Sequence, residues 1–340
     1  LLSYGTSNGT QGVETVGNSK VSMKSVANRK KTALVLPGGG ARGAFQVGVL
    51  KAIAELVPRG TINPFGIISG TSAGAINSVV LAAKARRFRV AIAELERVWG
   101  HFRCHHVYRT DNLAMLRSSL RWLGAFVTGG TLVRMPKSLL DNSPLRALLS
   151  RNVRFPRIEH GIDQGWLDAV SVTAAGYSSA RSTSFFEATG SHSEWSRTRR
   201  AGVRSRLNLD HLMASIAVPM IFPPVRIGRE YFGDGAMRQA TPLSPAVHLG
   251  ADRILVIGVR NEIVDGSSAP EALASYPSFA EIAGYTLVTL FMDGLDSVLE
   301  RLSRINQLIV SVPAEPRGPR LSRMRPIDSM VIVPSEDLRL

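Results

Sequence analysis

Three short stretches carry residues whose types and spacing could do chemistry. In Gly70-Thr71-Ser72-Ala73-Gly74 a serine has a glycine two residues away on either side, with apolar Phe65-Gly66-Ile67-Ile68 before it and helix-spaced Ala75, Ile76, Val79 and Val80 after it. A serine so flanked can occupy a backbone turn too tight for neighbouring side chains, with its hydroxyl exposed and a helix N-terminus aimed at it. The helix dipole favours negative charge developing there, so the chemistry is nucleophilic attack. Pro37-Gly38-Gly39-Gly40-Ala41-Arg42-Gly43 is a loop whose amides can turn inward unobstructed. Gly233-Asp234-Gly235-Ala236 holds an acid between two glycines just after aromatic Tyr231-Phe232, where backbone packs closely and water is partly excluded; taken alone, it reads as a turn aspartate.

The elements around these stretches decide between readings. Ala33-Leu34-Val35-Leu36 is a short buried strand, and Phe45, Val49, Ala52, Ile53 and Leu56 follow the glycine loop at helical spacing. With the strand and helix around Ser72 this makes a parallel βαβ unit, the signature of an α/β fold. As G-x-G-x-x-G the loop could cradle a dinucleotide, but that fingerprint needs an acid at the end of the second strand, and no Asp or Glu stands between Glu55 and Glu94. The favoured reading is an oxyanion hole: both loops leave the carboxyl ends of neighbouring strands, and the Gly38, Gly39 and Gly40 amides would meet charge forming at Ser72. Arg42 braces that loop, contacts a phosphate, or is a surface residue at a helix start.

The chain has 340 residues, 44% of them hydrophobic, enough for a substantial core in one large or two ordinary domains. A single cysteine, Cys104, excludes an intramolecular disulfide framework and fits a reducing, cytoplasmic location. The net charge of +15 suits a surface that meets anionic lipid headgroups or nucleic acid, or a solvated basic surface. No apolar run is long enough for a membrane span, Asn77 and Ser78 interrupting the best one, so a soluble or peripheral protein is expected. The first residue is leucine, which leaves room for an upstream targeting segment.

Residues 1–31 read as a flexible basic tail. An amphipathic helix is expected over Val90 to Phe102, and another over Leu113 to Val127, with Arg117, Arg121 and Trp122 beside it, on the surface or at a membrane interface. Ser143-Pro144 is expected to cap a helix over Leu145 to Leu149, and Asp210 one running to Val218. Val170, Val172 and Ala174 alternate as a strand, with Thr183 to Ala188 as hairpin partner. His101, Cys104, His105 and His106 lie close together, but their spacing matches no zinc pattern. Arg197, Arg199, Arg200, Arg204 and Arg206 fall in a non-periodic stretch; without an aromatic stacking platform, nucleic acid is disfavoured against headgroup attraction or solvation. Val225 to Ile227 pairs with Tyr231-Phe232, and Asp252 to Val259 is a buried strand. Phe279 to Leu308 is largely helical, Pro313 to Arg320 a loop, and Met330 to Val333 a last strand.

With glycine loop, serine elbow and Asp234-Gly235-Ala236 in that order, the chain resembles the patatin-like phospholipase family. Leu140-Asp141-Asn142-Ser143-Pro144-Leu145, Ala214-Ser215-Ile216-Ala217-Val218-Pro219 and Pro242-Leu243-Ser244-Pro245-Ala246 also look like it. The likeness covers about Thr32 to Val259, with Pro37 in place of a common glycine. The resemblance implies a three-layer α/β/α fold around a mostly parallel sheet. The catalytic domain would span 32–259, with a helical extension and final strand over 260–340 packed on it. It implies a lipid acyl hydrolase with Ser72 as nucleophile, Asp234 as proton acceptor and no histidine. The oxyanion loop would be Gly38, Gly39, Gly40, Arg42 and Gly43, the elbow and acid motifs Gly70, Gly74, Gly235 and Ala236, and no metal or cofactor is required. The partners it implies are a lipid or acyl-ester substrate and, transiently, an anionic membrane surface. Two alternatives stand beside it: an α/β-hydrolase triad of Ser72, Asp234 and His248, disfavoured by the oxyanion loop's position, and a non-catalytic membrane-surface scaffold.

Overall fold

Strand β1 (Thr32–Leu36) shows how the molecule is layered: Ala33 and Val35 face one way, Leu34 and Leu36 the other, and all four are fully buried. A strand covered on both faces needs apolar residues at every position, which is why it reads as a continuous run and not as an alternation. The computed structural model describes residues 30–109, 138–190, 192–238, 243–260, 276, 278, 282, 295–311 and 325–336. The expected helix over Leu113 to Val127, the loop from Pro313 to Arg320, most of the tail over 1–31 and the start of the Pro242 motif lie outside them.

Among the described residues, β1 belongs to a ten-stranded sheet. Its other members are β2 (Ile67–Thr71), β3 (Ala169–Gly176), β4 (Ser182–Ala188), β5 (Trp195–Arg197), β6 (Arg200–Arg204), β7 (Val225–Ile227), β8 (Glu230–Asp234), β9 (Arg253–Ile257) and β10 (Asp328–Ile332). The order is β10-β9-β1-β2-β3-β4-β6-β5, with β8 pairing both β3 and β7. The run from β10 to β3 is parallel throughout, and β4 forms the expected antiparallel hairpin with β3. The last strand thus enters the same sheet beside β9.

Leu34, Leu36, Ile68, Val170 and Val172 form one core with α1 (Gly43–Leu56), α2 (Ala73–Ala83) and α3 (Phe88–Gly100). α4 (Cys104–Val107), α5 (Ser143–Asn152), α6 (Pro156–Asp163) and α7 (Leu209–Ser215) follow in the chain. Ala33, Val35, Ile67, Ile254 and Val256 form the opposite core with α8 (Leu243–His248) and α9 (Leu295–Ser311), which contribute Leu243, Ala246, Leu299 and Leu302. The result is the expected three-layer α/β/α architecture. All eleven residues of α2 are buried, so this helix lies inside the protein and not on its surface.

Three local expectations are corrected. The N-cap of α7 is Asn208, whose side chain accepts from the Asp210 and His211 amides; Asp210 lies inside the first turn, and the helix ends at Ser215. α5 begins at Ser143, with Asn142 at the capping position and Asp141 accepting from the Ser143 amide. The arginine-rich stretch forms two strands, β5 and β6, at the sheet edge, where Trp195 stacks on Phe186 with ring centroids 5.1 Å apart.

Candidate active site

β2 ends at Thr71 and α2 starts at Ala73, so Ser72 alone makes the turn, at φ 53° and ψ −125°. A serine at this positive φ costs on the order of 1–3 kcal/mol, and such strain persists only where the surroundings impose it. Here they do. A Cβ on Gly74 would lie 2.0 Å from the Leu36 carbonyl oxygen, and one on Gly70 would lie 2.3 Å from Ser78 Oγ. Only glycine at both positions lets α2 dock this close to β1 and β2. The Ser72 amide donates to Ser215 Oγ at 2.9 Å, and that hydroxyl donates to the Thr173 carbonyl at 2.7 Å.

Asp234 reaches the same place from β8, whose pairing with β3 sets Asp234 opposite Ala174 while Thr71 of β2 lies beside Thr173. β3 is therefore the bridge between two segments far apart in the chain. The Asp234 amide donates to the Ala217 carbonyl at 2.9 Å, so the turn after α7 grips both sides of the site. Gly235 is required by the same crowding, since a Cβ there would lie 2.2 Å from the Thr173 carbonyl oxygen. Asp234 Oδ1 accepts from the Ala236 amide at 2.9 Å, and Oδ2 accepts from the Ser72 hydroxyl at 2.6 Å. The carboxyl is 1% exposed, and burial pushes its pKa up to about 7, although both hydrogen bonds favour the charged form.

The glycine loop comes to the same end of the sheet. A Cβ on Gly38 would stand 3.0 Å from the Cβ of Ser72, and one on Gly39 would stand 2.5 Å from Val259. Gly40 has φ +56° and open space around it. Both roots of the loop are clamped by buried amide side chains. Gln46 Nε2 donates to the Pro37 carbonyl at 2.8 Å, and Asn77 Nδ2 donates to the Gly43 carbonyl at 3.1 Å and to Gln46 Oε1 at 2.9 Å. Trp99 completes the set, its indole N–H donating to Asn77 Oδ1 at 2.8 Å. Two of the expected loop residues drop out as amide donors: the Arg42 amide bonds the Gly39 carbonyl at 3.1 Å, and that of Gly43 bonds the Gly40 and Ala41 carbonyls.

Other candidates stand elsewhere. His248 is held in the last turn of α8, with Nδ1 2.8 Å from the Ser244 carbonyl and its ring stacked on Trp195 at 4.7 Å. Because Ser72 bonds Asp234 directly, no imidazole stands between them as a triad would require. His106 Nδ1 accepts from the Arg103 amide. Among the described residues no three His, Cys, Asp or Glu side chains form a group that could hold a metal. Ser215, Gln46, Asn77 and Trp99 were not expected at the site. The available signal was polarity at positions inside otherwise apolar helices, where a buried polar group must find a partner.

A serine on a strand-to-helix elbow, a buried carboxylate bonded to it and a glycine loop thus meet at one end of a mostly parallel α/β sheet. The family model described as Patatin-like phospholipase matches residues 34–247, and the chain belongs to that family. No curated protein sequence matches the chain. Among solved structures, VipD from Legionella pneumophila is 13% identical with a TM-score of 0.40, the match covering 89% of this chain and 61% of VipD. ExoU in its heterodimeric complex with SpcU, from the type III secretion system of Pseudomonas aeruginosa, is 18% identical with a TM-score of 0.31; the match covers 86% of this chain and 58% of that one. The chain thus spans about three fifths of the length of these structures.

Proposed function

We propose that the protein cleaves fatty acyl esters of lipids through an acyl-enzyme on Ser72, with Asp234 as its only proton-transfer partner. The observation that carries this reading is the 2.6 Å hydrogen bond from Ser72 Oγ to Asp234 Oδ2. As Ser72 Oγ attacks the ester carbonyl carbon, its proton passes to Asp234, whose burial-raised pKa near 7 suits it to accept and return that proton. The carbonyl oxygen, now an oxyanion, lies against the amides of Gly38, Gly39 and Gly40, with the N-terminus of α2 adding its dipole. Collapse of the tetrahedral intermediate breaks the ester bond, and the leaving alcohol takes the proton from Asp234. A water then attacks the acyl-enzyme, giving its proton to Asp234; Ser72 recovers that proton as the fatty acid departs.

The test is product analysis after incubating the full chain with mixed phospholipid and neutral glyceride vesicles, alongside Ser72→Ala and labelling by a fluorophosphonate. Release of free fatty acid by wild type, its loss in Ser72→Ala and labelling confined to Ser72 support the reading. A folded wild-type chain that neither labels nor releases fatty acid on any of these lipids overturns it in favour of a non-catalytic membrane-surface role.

A further inference from the structure

The end of α2 remote from Ser72 borders a cavity of about 390 Å³, lined by Lys84, Arg86, Arg87, Arg157, His160 and Trp166 among others. The helix has eleven residues, and at about 1.5 Å rise per residue the cavity lies roughly 16 Å from the proposed nucleophile. It is therefore not part of the site above. Its lining comes from two directions: the turn joining α2 to α3 supplies Lys84, Arg86 and Arg87, while α6 and the segment after it supply Arg157, His160 and Trp166.

The charges in this hollow are not balanced. Among the described residues no carboxylate pairs with Arg86, Arg87 or Arg157; Lys84 alone is matched, by Glu94. The nearest acid on α6, Glu159, is engaged by Arg206. Burial, then repulsion from Arg157, Arg97 and Arg154, holds the Lys84 ammonium below its usual range. One wall is prepared for a flat cation: the Arg86 guanidinium sits 5.4 Å over the Trp166 ring, and His160 meets the same ring edge-on at 5.4 Å and 85°. Stacking of this kind holds the guanidinium by its face and leaves its N–H edge for an in-plane acceptor.

A concave surface lined by three exposed arginines and a lysine selects an anion with several acceptor oxygens. A phosphate group fits better than a carboxylate, because its three terminal oxygens can face donors arriving from several directions, and arginine meets such groups with paired N–H bonds. We propose that this cavity is a binding site for a phosphate group, carried either by a small phosphorylated molecule or by the headgroup of an anionic lipid. The proposal stands whether or not Ser72 is the nucleophile.

Inorganic pyrophosphate titrated into the full chain, followed by calorimetry and tryptophan fluorescence, tests it. The double variant Arg86→Gln/Arg157→Gln is compared with Arg199→Gln/Arg229→Gln, which removes the same charge from exposed positions elsewhere. Circular dichroism checks folding of both, and if the cavity variant fails to fold, Arg87→Gln alone takes its place. Saturable binding in wild type and control, weakened about tenfold or more in the cavity variant, is the expected result. Equal weakening in both variants, or a response that never saturates, means diffuse attraction to a basic surface and overturns the site. The source of the group follows from sedimentation with phosphatidylcholine vesicles with and without phosphatidic acid. Binding that needs phosphatidic acid and is lost in the cavity variant assigns a lipid headgroup. Loss of pyrophosphate binding with vesicle binding unchanged assigns a soluble phosphorylated molecule.

Discussion

Ser215 Oγ accepts a hydrogen bond from the Ser72 amide at 2.9 Å and donates one to the Thr173 carbonyl at 2.7 Å. One hydroxyl therefore ties the strained elbow to β3, the strand against which β8 holds Asp234. Ser215 is fully buried, so no water replaces it when it is removed. In Ser215→Ala the Ser72 amide loses its partner, a penalty of about 1–3 kcal/mol. If that penalty falls on the elbow geometry, kcat drops roughly ten- to hundredfold while KM changes little. Steady-state kinetics on a soluble ester reads this; an unchanged kcat would assign Ser215 to packing alone.

Asp234 predicts a pH profile. Its carboxyl must be ionised to accept the serine proton, so kcat/KM rises with pH through about 7 and levels above it. Asp234→Asn lowers turnover by about a thousandfold or more and flattens that limb.

The same raised pKa has a stability consequence with a definite sign. Between about pH 4 and pH 7 the folded carboxyl keeps its proton while the unfolded one has lost it, so stability falls as pH rises through that window. Asp234→Asn, which retains an oxygen to accept from Ala236, should therefore melt above wild type at pH 8 and match it near pH 4. Thermal scans at the two pH values decide.

Glu187 separates stability from activity. It lies on β4, is 8% exposed, and accepts from the Leu207 amide; burial pushes its pKa up to about 7. Gln keeps the acceptor and removes the charge, so Glu187→Gln stabilises the fold at pH 8 by on the order of 1–3 kcal/mol, with the gain vanishing towards pH 4. Denaturant titration measures this. The kcat/KM profile should stay that of wild type, because Glu187 makes no contact with Ser72 or Asp234.

Glycines of the two loops should fail in different ways. Gly74→Ala drives a methyl to 2.0 Å from the Leu36 carbonyl oxygen and should prevent folding, read as loss of soluble protein. Gly38→Ala meets only the Ser72 Cβ at 3.0 Å, so the loop gives by tenths of an ångström. It should keep the melting temperature within a few degrees while lowering kcat about tenfold or more, because the Gly38 amide is retained but displaced from the position the oxyanion needs.

Much of this was legible because the sheet is covered on both faces. Its strands appear as short apolar runs closed by glycine, so β1, β2, β9 and the two loops between strand and helix can be read directly. β5 and β6 cannot. β5 is the edge strand and β6 lies between it and β4, exposing Arg200 and Arg204 on either side of Gly202; what fixes them is the Trp195 ring, which approaches so closely that a Cβ on Gly202 would lie 2.3 Å away. The cap of α7 was misread because Asn208 and Asp210 are both good capping residues two positions apart, and only the backbone decides which side chain turns back. Asn77 was visible as an interruption of an apolar run, but its partners, Gln46 and Trp99, come from other helices and leave no local pattern.

The clamp of Gln46, Asn77 and Trp99 divides the glycine loop into two regions with different tolerance. At its tip, Gly40 and Ala41 are exposed; exchange at Ala41 meets solvent alone, whereas Gly40, at φ +56°, resists a side chain although nothing crowds it. At its roots Asn77 bonds both Gln46 and Trp99, so replacing Asn77 strands an acceptor on Gln46 and a donor on Trp99, and replacing either of those leaves a buried group of Asn77 without that partner. Variation is therefore tolerated at Ala41, while Gln46, Asn77 and Trp99 are inherited as a set.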